Sequence, residues 1–308
     1  MLKTELISII LFLSVILFIY GLEVLLFFKA LINKIRKKQT PQSKAVMMLH
    51  AVALAGILCM LYGYFVEPTR IEVKTVHLSS EKLKDSSLRL IQISDLHCDA
   101  KMRNENKLVE LVNGLHPDII VFTGDAVNTP DAVGLFQETM KALKAQCGKF
   151  AVTGNYDRFW QGLPIFVDTD FKVLKENNIA LSCHDEKILM SGLNYENGDK
   201  WLAILHSLPQ DPYNILLYHN SDLAEDIQGA GVDLYLSGHT HGGQFRLPFY
   251  GALVTLSRFG KKYEMGLYHV GTTTLYVNRG IGMEGGYIPR VRFLSRPEIT
   301  VLEIFPKE

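Results

Sequence analysis

Leu88-Arg89-Leu90-Ile91-Gln92-Ile93-Ser94-Asp95-Leu96-His97 is a short apolar run, read as a strand over Leu88–Ser94, that stops on a carboxylate and an imidazole two positions apart. The same arrangement returns down the chain. Leu108, Val109, Leu111, Val112 and Leu115 recur near helical spacing, and the strand-like run Asp118–Thr123 follows and ends in Gly124-Asp125. A second helical pattern covers Ala132–Lys144, and the strand Phe150–Thr153 ends in Gly154-Asn155-Tyr156-Asp157. Ile188–Leu193, Trp201–Leu205, Ile215–Tyr218 and Leu234–Leu236 also read as strands, with a helix expected from Ser221 to Gln228. His219 follows the third of these and Gly238-His239-Thr240-His241 the fourth, while the tail adds strands at Thr274–Val277 and Ile299–Ile304.

Strands that alternate with helices argue for an α/β domain. In open α/β sheets ligands bind beyond the carboxyl ends of strands, so five separate segments are expected to project Asp, His and Asn side chains into one crevice.

The 308 residues balance 32 Lys and Arg against 32 Asp and Glu, but unevenly. Residues 1–66 hold seven basic and two acidic side chains, and 67–308 hold 25 basic against 30 acidic, which excludes a nucleic-acid partner. Two apolar runs, Leu6–Phe28 and Ala45–Val66, are each long enough to cross a bilayer as a helix. The first is too long for a signal peptide and no small-x-small site follows it. Between them Lys29, Lys34, Arg36, Lys37, Lys38 and Lys44 stand without an acidic residue, so this loop is expected in the cytoplasm and the rest of the chain outside it. Glu23 and His50, inside the runs, read as interfacial residues rather than a relay. The chain therefore divides into 1–66, two transmembrane helices with a basic loop, and 67–308, the α/β domain. The cysteines Cys59, Cys98, Cys147 and Cys183 lack the short spacing of a zinc ribbon and read as isolated, silent on redox compartment.

Asp95, His97, Asp125, Asn155, His219, His239 and His241 make a set of two carboxylates, one amide and four imidazoles without a thiolate. Such a set suits Mn²⁺, Fe, Zn²⁺ or Mg²⁺. Seven ligands exceed what one ion takes from protein and suit two divalent ions bridged by Asp125. Two cations ~3.5–4 Å apart are a recurrent device for in-line phosphoester hydrolysis.

Carried by Asp95-Leu96-His97, Gly124-Asp125, Gly154-Asn155, His219 and Gly238-His239-Thr240-His241, the chain resembles the calcineurin-like metallophosphoesterases over roughly residues 67–305. It is similar in particular to their bacterial membrane-associated branch, on Gly238-His-Thr-His-Gly-Gly-Gln244, Leu275-Tyr-Val-Asn-Arg-Gly-Ile-Gly282 and Arg296-Pro-Glu-Ile299. The resemblance implies a four-layer αββα sandwich with two metal ions, manganese foremost. It further implies that Asp95, His97, Asp125 and His241 hold one ion, and Asp125, Asn155, His219 and His239 the other. Asp125, Asn155, Tyr156 and Asp157 then form the catalytic group.

Tyr156 stands where the family has the histidine that protonates the leaving oxygen. A phenol of pKa ~10 is a poorer proton donor near pH 7. Either the leaving group departs unassisted, or Tyr156 with Asp157 has been retuned, or catalysis has decayed. Arg158 reads as a phosphate clamp or a solvated arginine. His184, His206 and His116 read as surface or loop residues, and Cys98 as packing.

The expected function is a membrane-anchored dinuclear phosphoesterase acting on a lipid-linked phosphodiester, phosphomonoester or pyrophosphate. UDP-2,3-diacylglucosamine pyrophosphatase of lipid A synthesis is one alternative, opposed by the expected topology. A non-catalytic metal-binding scaffold is another. Transport is disfavoured, because two spans lack the repeats a substrate pathway needs.

Overall fold

The computed structural model describes residues 2–39, 43–195, 205, 208–284 and 290–307. The strand expected at Trp201–Leu205 and the side chain of His206 fall outside them, Leu205 apart. Two long apolar helices, α1 (Lys3–Ile35) and α2 (Lys44–Phe65), lead the chain. They lie antiparallel: the Tyr20 hydroxyl donates to Ala53 O at 2.9 Å, and His50 Nδ1 sits 2.7 Å from Glu23 Oε2.

Among the described residues, the rest is built on two six-stranded sheets. The first takes β1 (Glu72–Ser80), β2 (Leu88–Ile93), β3 (Ile119–Thr123), β4 (Gly148–Val152), β5 (Lys172–Val173) and the C-terminal β14 (Glu298–Pro306), in the order β1-β14-β2-β3-β4-β5. The second takes β6 (Asn177–Cys183), β7 (Glu186–Gly192), β8 (Tyr213–Leu217), β9 (Leu234–Ser237), β12 (Gly266–Val270) and β13 (Thr273–Val277), in the order β12-β13-β9-β8-β7-β6. A short hairpin of β10 (Arg246–Leu247) and β11 (Gly251–Ala252) stands apart. In each sheet the four strands β2 to β5, or β13, β9, β8 and β7, run parallel. Parallel strands are covered on both faces, which is why Ile119-Ile-Val-Phe-Thr123 and Tyr213-Asn-Ile-Leu-Leu217 are buried throughout.

Three cores separate four layers. Leu90, Val121, Ile215, Leu236 and Leu302 pack between the sheets. Helices α3 (Glu105–Gly114) and α4 (Val133–Ala142) set Leu108, Val112, Phe136 and Met140 on the outer face of the first sheet. Over the second sheet the cover is Leu223, Ala224, Ile227 and Tyr263. That layer departs from expectation: Ser221–Gln228 is a run of turns, not a helix. Its bonds are mostly of the i→i+3 kind, Ala224 N to Ser221 O and Asp226 N to Leu223 O, and Gly229 and Gly231 at positive φ end it. A segment of two turns does not sustain helix nucleation by itself, and Asp222 is drawn instead to the Ser257 hydroxyl and Arg258 amide.

The cysteines depart from expectation as well. Cys147 and Cys183, 36 residues apart, form a disulfide joining the start of β4 to the end of β6, one strand from each sheet. No local spacing announces the pair, because sheet packing brings the two together. Cys59 and Cys98 are free.

Candidate metal centre

The parallel strands of both sheets end at one edge of the sandwich. β2 runs into Asp95 and His97, β3 into Asp125 and β4 into Asn155, while β8 runs into His219 and β9 into His239 and His241. A strand carries the chain straight past its edge, so side chains that must converge need a sharp turn. Asp95, His97, Asp125, His239 and His241 all take φ between 41° and 70°. That left-handed backbone costs a non-glycine residue about 1–3 kcal/mol, and it recurs at functional sites where the surrounding fold enforces it. Two glycines let the loops approach. A Cβ at Gly154 would strike the Asp125 carboxylate, and one at Gly238 would strike Ser94 and Asp95.

The convergent groups form two clusters. In one, His241 Nε2 lies 3.2 Å from His97 Nε2 and 3.5 Å from Asp95 Oδ1. In the other, His219 Nε2 lies 3.2 Å from His239 Nδ1 and 2.9 Å from Asn155 Oδ1. Asp125 joins them, its Oδ2 standing 3.5 Å from His97 Nε2 and 3.3 Å from His219 Nε2. Asn155 is half-buried and the other six are at most 9% exposed.

Neighbours fix the tautomers. His97 Nδ1 donates to Asn128 Oδ1 at 3.0 Å, His219 Nδ1 to Thr123 O at 2.7 Å and His239 Nε2 to Leu256 O at 3.4 Å, which turns the other nitrogen of each ring toward the clusters. On the far side of His241, Arg292 Nη2 lies 3.3 Å from Nδ1.

Burial sets the charges. It pulls His97 and His239 down to about 4 and His241 well below the imidazole range, and pushes Asp95 up to about 7. Burial would lower His219 too, but Asp125 beside it prevails and raises it to about 10. Burial would raise Asp125, but His219 and His97 prevail and hold it well below the carboxylate range. Arg292, fully buried, is brought down to about 9 by burial and by Arg279.

The structure places the other expected residues variously. The Tyr156 amide donates to Asp125 Oδ1 at 2.8 Å and its ring packs edge-on against His97. The Tyr156 hydroxyl donates to Glu284 Oε1 at 3.0 Å, and burial with Glu284 raises the phenol above its usual range. Both oxygens of Asp157 are taken by backbone amides: they accept from Asp125, Ala126 and Gly154, clamping the two loops together. Burial and Asp125 raise it to about 6. Arg158 is exposed and lines an open cleft of about 560 Å³ with Gly154, Asp157 and Trp160. His184 pairs with Asp118 at the opposite edge of the sheets, and Cys98 is buried.

Asn128, Glu284 and Arg292 escape a reading of the sequence. Asn128 carries a signal, lying three residues past Asp125. Arg292 carries none: it lies between the motifs at 275–282 and 296–299, and it donates to the carbonyls of Arg279, Gly280, Gly282 and Ser295.

Asp95 with His97 and His241, and Asp125 with His219 and His239, each offer three ligand atoms within 4.8 Å of one another. Facing imidazole nitrogens at 3.2 Å with buried carboxylates between them fit a pair of divalent cations.

The family model for calcineurin-like phosphoesterases matches residues 88–243. The uncharacterized metallophosphoesterase YkuE of Bacillus subtilis is 35% identical over 79% of this chain and 89% of its own. Phosphodiesterase YaeI of Escherichia coli is 27% identical over 79% of this chain and 92% of its own. A bovine protein, described as a transmembrane protein with metallophosphoesterase domain, is 28% identical over 88% of this chain and 64% of its own.

Proposed function

This chain belongs to the calcineurin-like phosphoesterases, and on that premise we propose that it hydrolyses a phosphate ester carried by a membrane lipid, at the extracytoplasmic face. The observation that carries the reading is the Asp125 carboxylate, buried between two clusters that each fit a divalent cation. Asp95, His97 and His241 would hold one ion, Asn155, His219 and His239 the other, with Asp125 shared and manganese the expected metal. Two bound cations would offset the charge of the phosphate and acidify the attacking water.

The chain's own residues do the rest. Asp157 locks the loops of Asp125 and Asn155 in register through three backbone amides. Tyr156 keeps its proton throughout the physiological range and donates it as a hydrogen bond to Glu284, so it orients rather than protonates. A site without an imidazolium acid favours esters whose leaving group departs unassisted. Such substrates include pyrophosphates and activated diesters.

Two further observations support the setting. Both long helices are apolar enough to cross a bilayer, and the bovine relative is described as a transmembrane protein. The Cys147–Cys183 disulfide suits an oxidising compartment, in keeping with the orientation read from the basic loop.

The test is Mn²⁺-dependent hydrolysis of bis-p-nitrophenyl phosphate by the detergent-purified chain. Turnover is expected, and Asn155→Ala should lower it about 10²-fold or more. Two bound metals without turnover would instead make the site a scaffold.

A further inference from the structure

The segment that follows His241 runs down the first long helix. A Cβ at Gly260 would meet the Leu2 side chain at 2.7 Å, and Thr255 donates to Glu5 through its amide and hydroxyl, each at 2.8 Å. Next, the Tyr250 hydroxyl bonds the Ser8 hydroxyl at 2.5 Å, and the Phe245 ring lies 5.3 Å from Phe12. Positions 260, 255, 250 and 245 thus meet Leu2, just before α1, and positions 5, 8 and 12 of α1 in order. Beside them Phe293 stacks on Phe245 and packs edge-on against Tyr62 of α2, and the Arg292 amide donates to Gly63 O.

The depth of these contacts follows from the helices. Lys29 and Lys44 mark the basic end of the pair, and about 20 residues of helix span the ~30 Å of hydrocarbon. Counted from there, the opposite boundary falls near Ile9 in α1 and Tyr64 in α2. Those two positions agree with the register set by Tyr20 with Ala53 and Glu23 with His50. The Phe12–Phe245 and Tyr62–Phe293 contacts therefore lie at or just inside the boundary, where aromatic rings are enriched in membrane proteins. Phe249, next to Tyr250 at the tip of the β10–β11 hairpin, is wholly exposed, and Lys261 Nζ sits 3.5 Å over the Tyr250 ring, a cation at headgroup level.

The geometry points to the β10–β11 hairpin as a wedge seated in the interface of the leaflet on the domain side, with the Phe249 ring at the boundary between headgroups and acyl chains and the metal centre at the level of the headgroups. The occupant of this surface is the phospholipid bilayer. Phe245 is four residues from His241, at most ~14 Å of chain, so a phosphate in a lipid headgroup reaches the clusters without leaving the membrane. This substrate-delivery step rests on the phosphoesterase reading; the insertion of the hairpin does not.

The experiment uses the full chain with Cys59→Ala, reconstituted in phosphatidylcholine–phosphatidylglycerol vesicles. A nitroxide is placed at Phe249→Cys, with Leu17→Cys in α1 and Asp131→Cys on the domain as references. Relaxation by oxygen, which partitions into lipid, is compared with relaxation by a water-soluble nickel chelate. Position 249 is expected to favour oxygen over nickel well above position 131, approaching position 17. If 249 favours nickel as 131 does, the wedge is overturned, whether or not position 17 lies in lipid. In parallel, Phe249→Asp should lower turnover of a vesicle-embedded p-nitrophenyl phospholipid tenfold or more and change soluble bis-p-nitrophenyl phosphate less than twofold. Equal effects on the two esters overturn delivery through the wedge. If neither ester turns over in the unsubstituted chain, the phosphoesterase reading and the delivery step fall together, while the nitroxide result decides insertion alone.

Discussion

The two halves of the buried centre use the same residue types and keep their proton on different groups. Around Asp95, the imidazoles of His97 and His241 are driven neutral by burial and the carboxyl itself holds a proton up to about 7. Around His219, an equally buried imidazole keeps its proton up to about 10, because the Asp125 carboxylate stands 3.3 Å away. Burial is common to both halves, so it does not explain the difference. Asp125 stands 3.3 Å from His219 and 3.5 Å from His97 but hydrogen-bonds only the first, and the charge His219 then keeps lowers His97 and His239. The halves are also braced differently: Thr123 O and Leu256 O orient the rings of the second, whereas side chains from distant loops, Asn128 and Arg292, brace the first.

Asp125→Asn breaks the comparison at its root, since it removes the charge both halves share. Loss of turnover by about 10³-fold or more is expected, with metal content falling from two ions toward none by elemental analysis. Retention of two ions would show that the halves are independent.

Arg292→Met breaks the first half from behind. Four backbone carbonyls lose a donor, and destabilisation of about 3–5 kcal/mol is expected from calorimetric melting. An unchanged melting temperature would mean that the loops of residues 279–282 and 292–295 hold without it.

Proton uptake sharpens the contrast. Both halves compete with protons below about pH 7, but between about 7 and 10 only the His219 half does. Affinity for one of two metal ions should therefore rise up to about tenfold per pH unit across that range while the other levels off. Calorimetric titration in buffers of different ionisation enthalpy should find about one proton released per pair of ions at pH 8. The sign also holds for the metal-free fold. A folded pKa raised above 6.5 stabilises fully below that pH, and the contribution is lost as pH rises through about 10. Chelator-treated protein should melt earlier at pH 10 than at pH 8.

Tyr156→His gives the smallest expected effect. Beside Asp125 it supplies an imidazole acid, so esters with poor leaving groups should gain about tenfold while bis-p-nitrophenyl phosphate is little changed. Equal gains on both would mean that Tyr156 acts by shape.

Much of the centre was legible in order along the chain. Asp95, His97, Asp125, Asn155, His219, His239 and His241 each follow an apolar run, and such runs announce themselves through local periodicity. Asp157 was legible as a neighbour but not in its task, which depends on amides 31 and 32 residues away. The expected helix at Ser221–Gln228 failed because the pattern was short and its polar residues found partners elsewhere in the fold.

By itself the sequence determined the apolar helices, the parallel strands that carry the centre and the polar residues at their ends, since each of these depends on neighbours within a few positions. Only the tertiary structure decided which rings face each other, as His97 and His241 do across 144 residues, and which imidazole keeps its proton. It alone paired Cys147 with Cys183 and laid the hairpin tip against Ser8. These outcomes depend on distances between chain segments that only the packing of two sheets and two helices sets, and electrostatic energies inside a protein follow those distances.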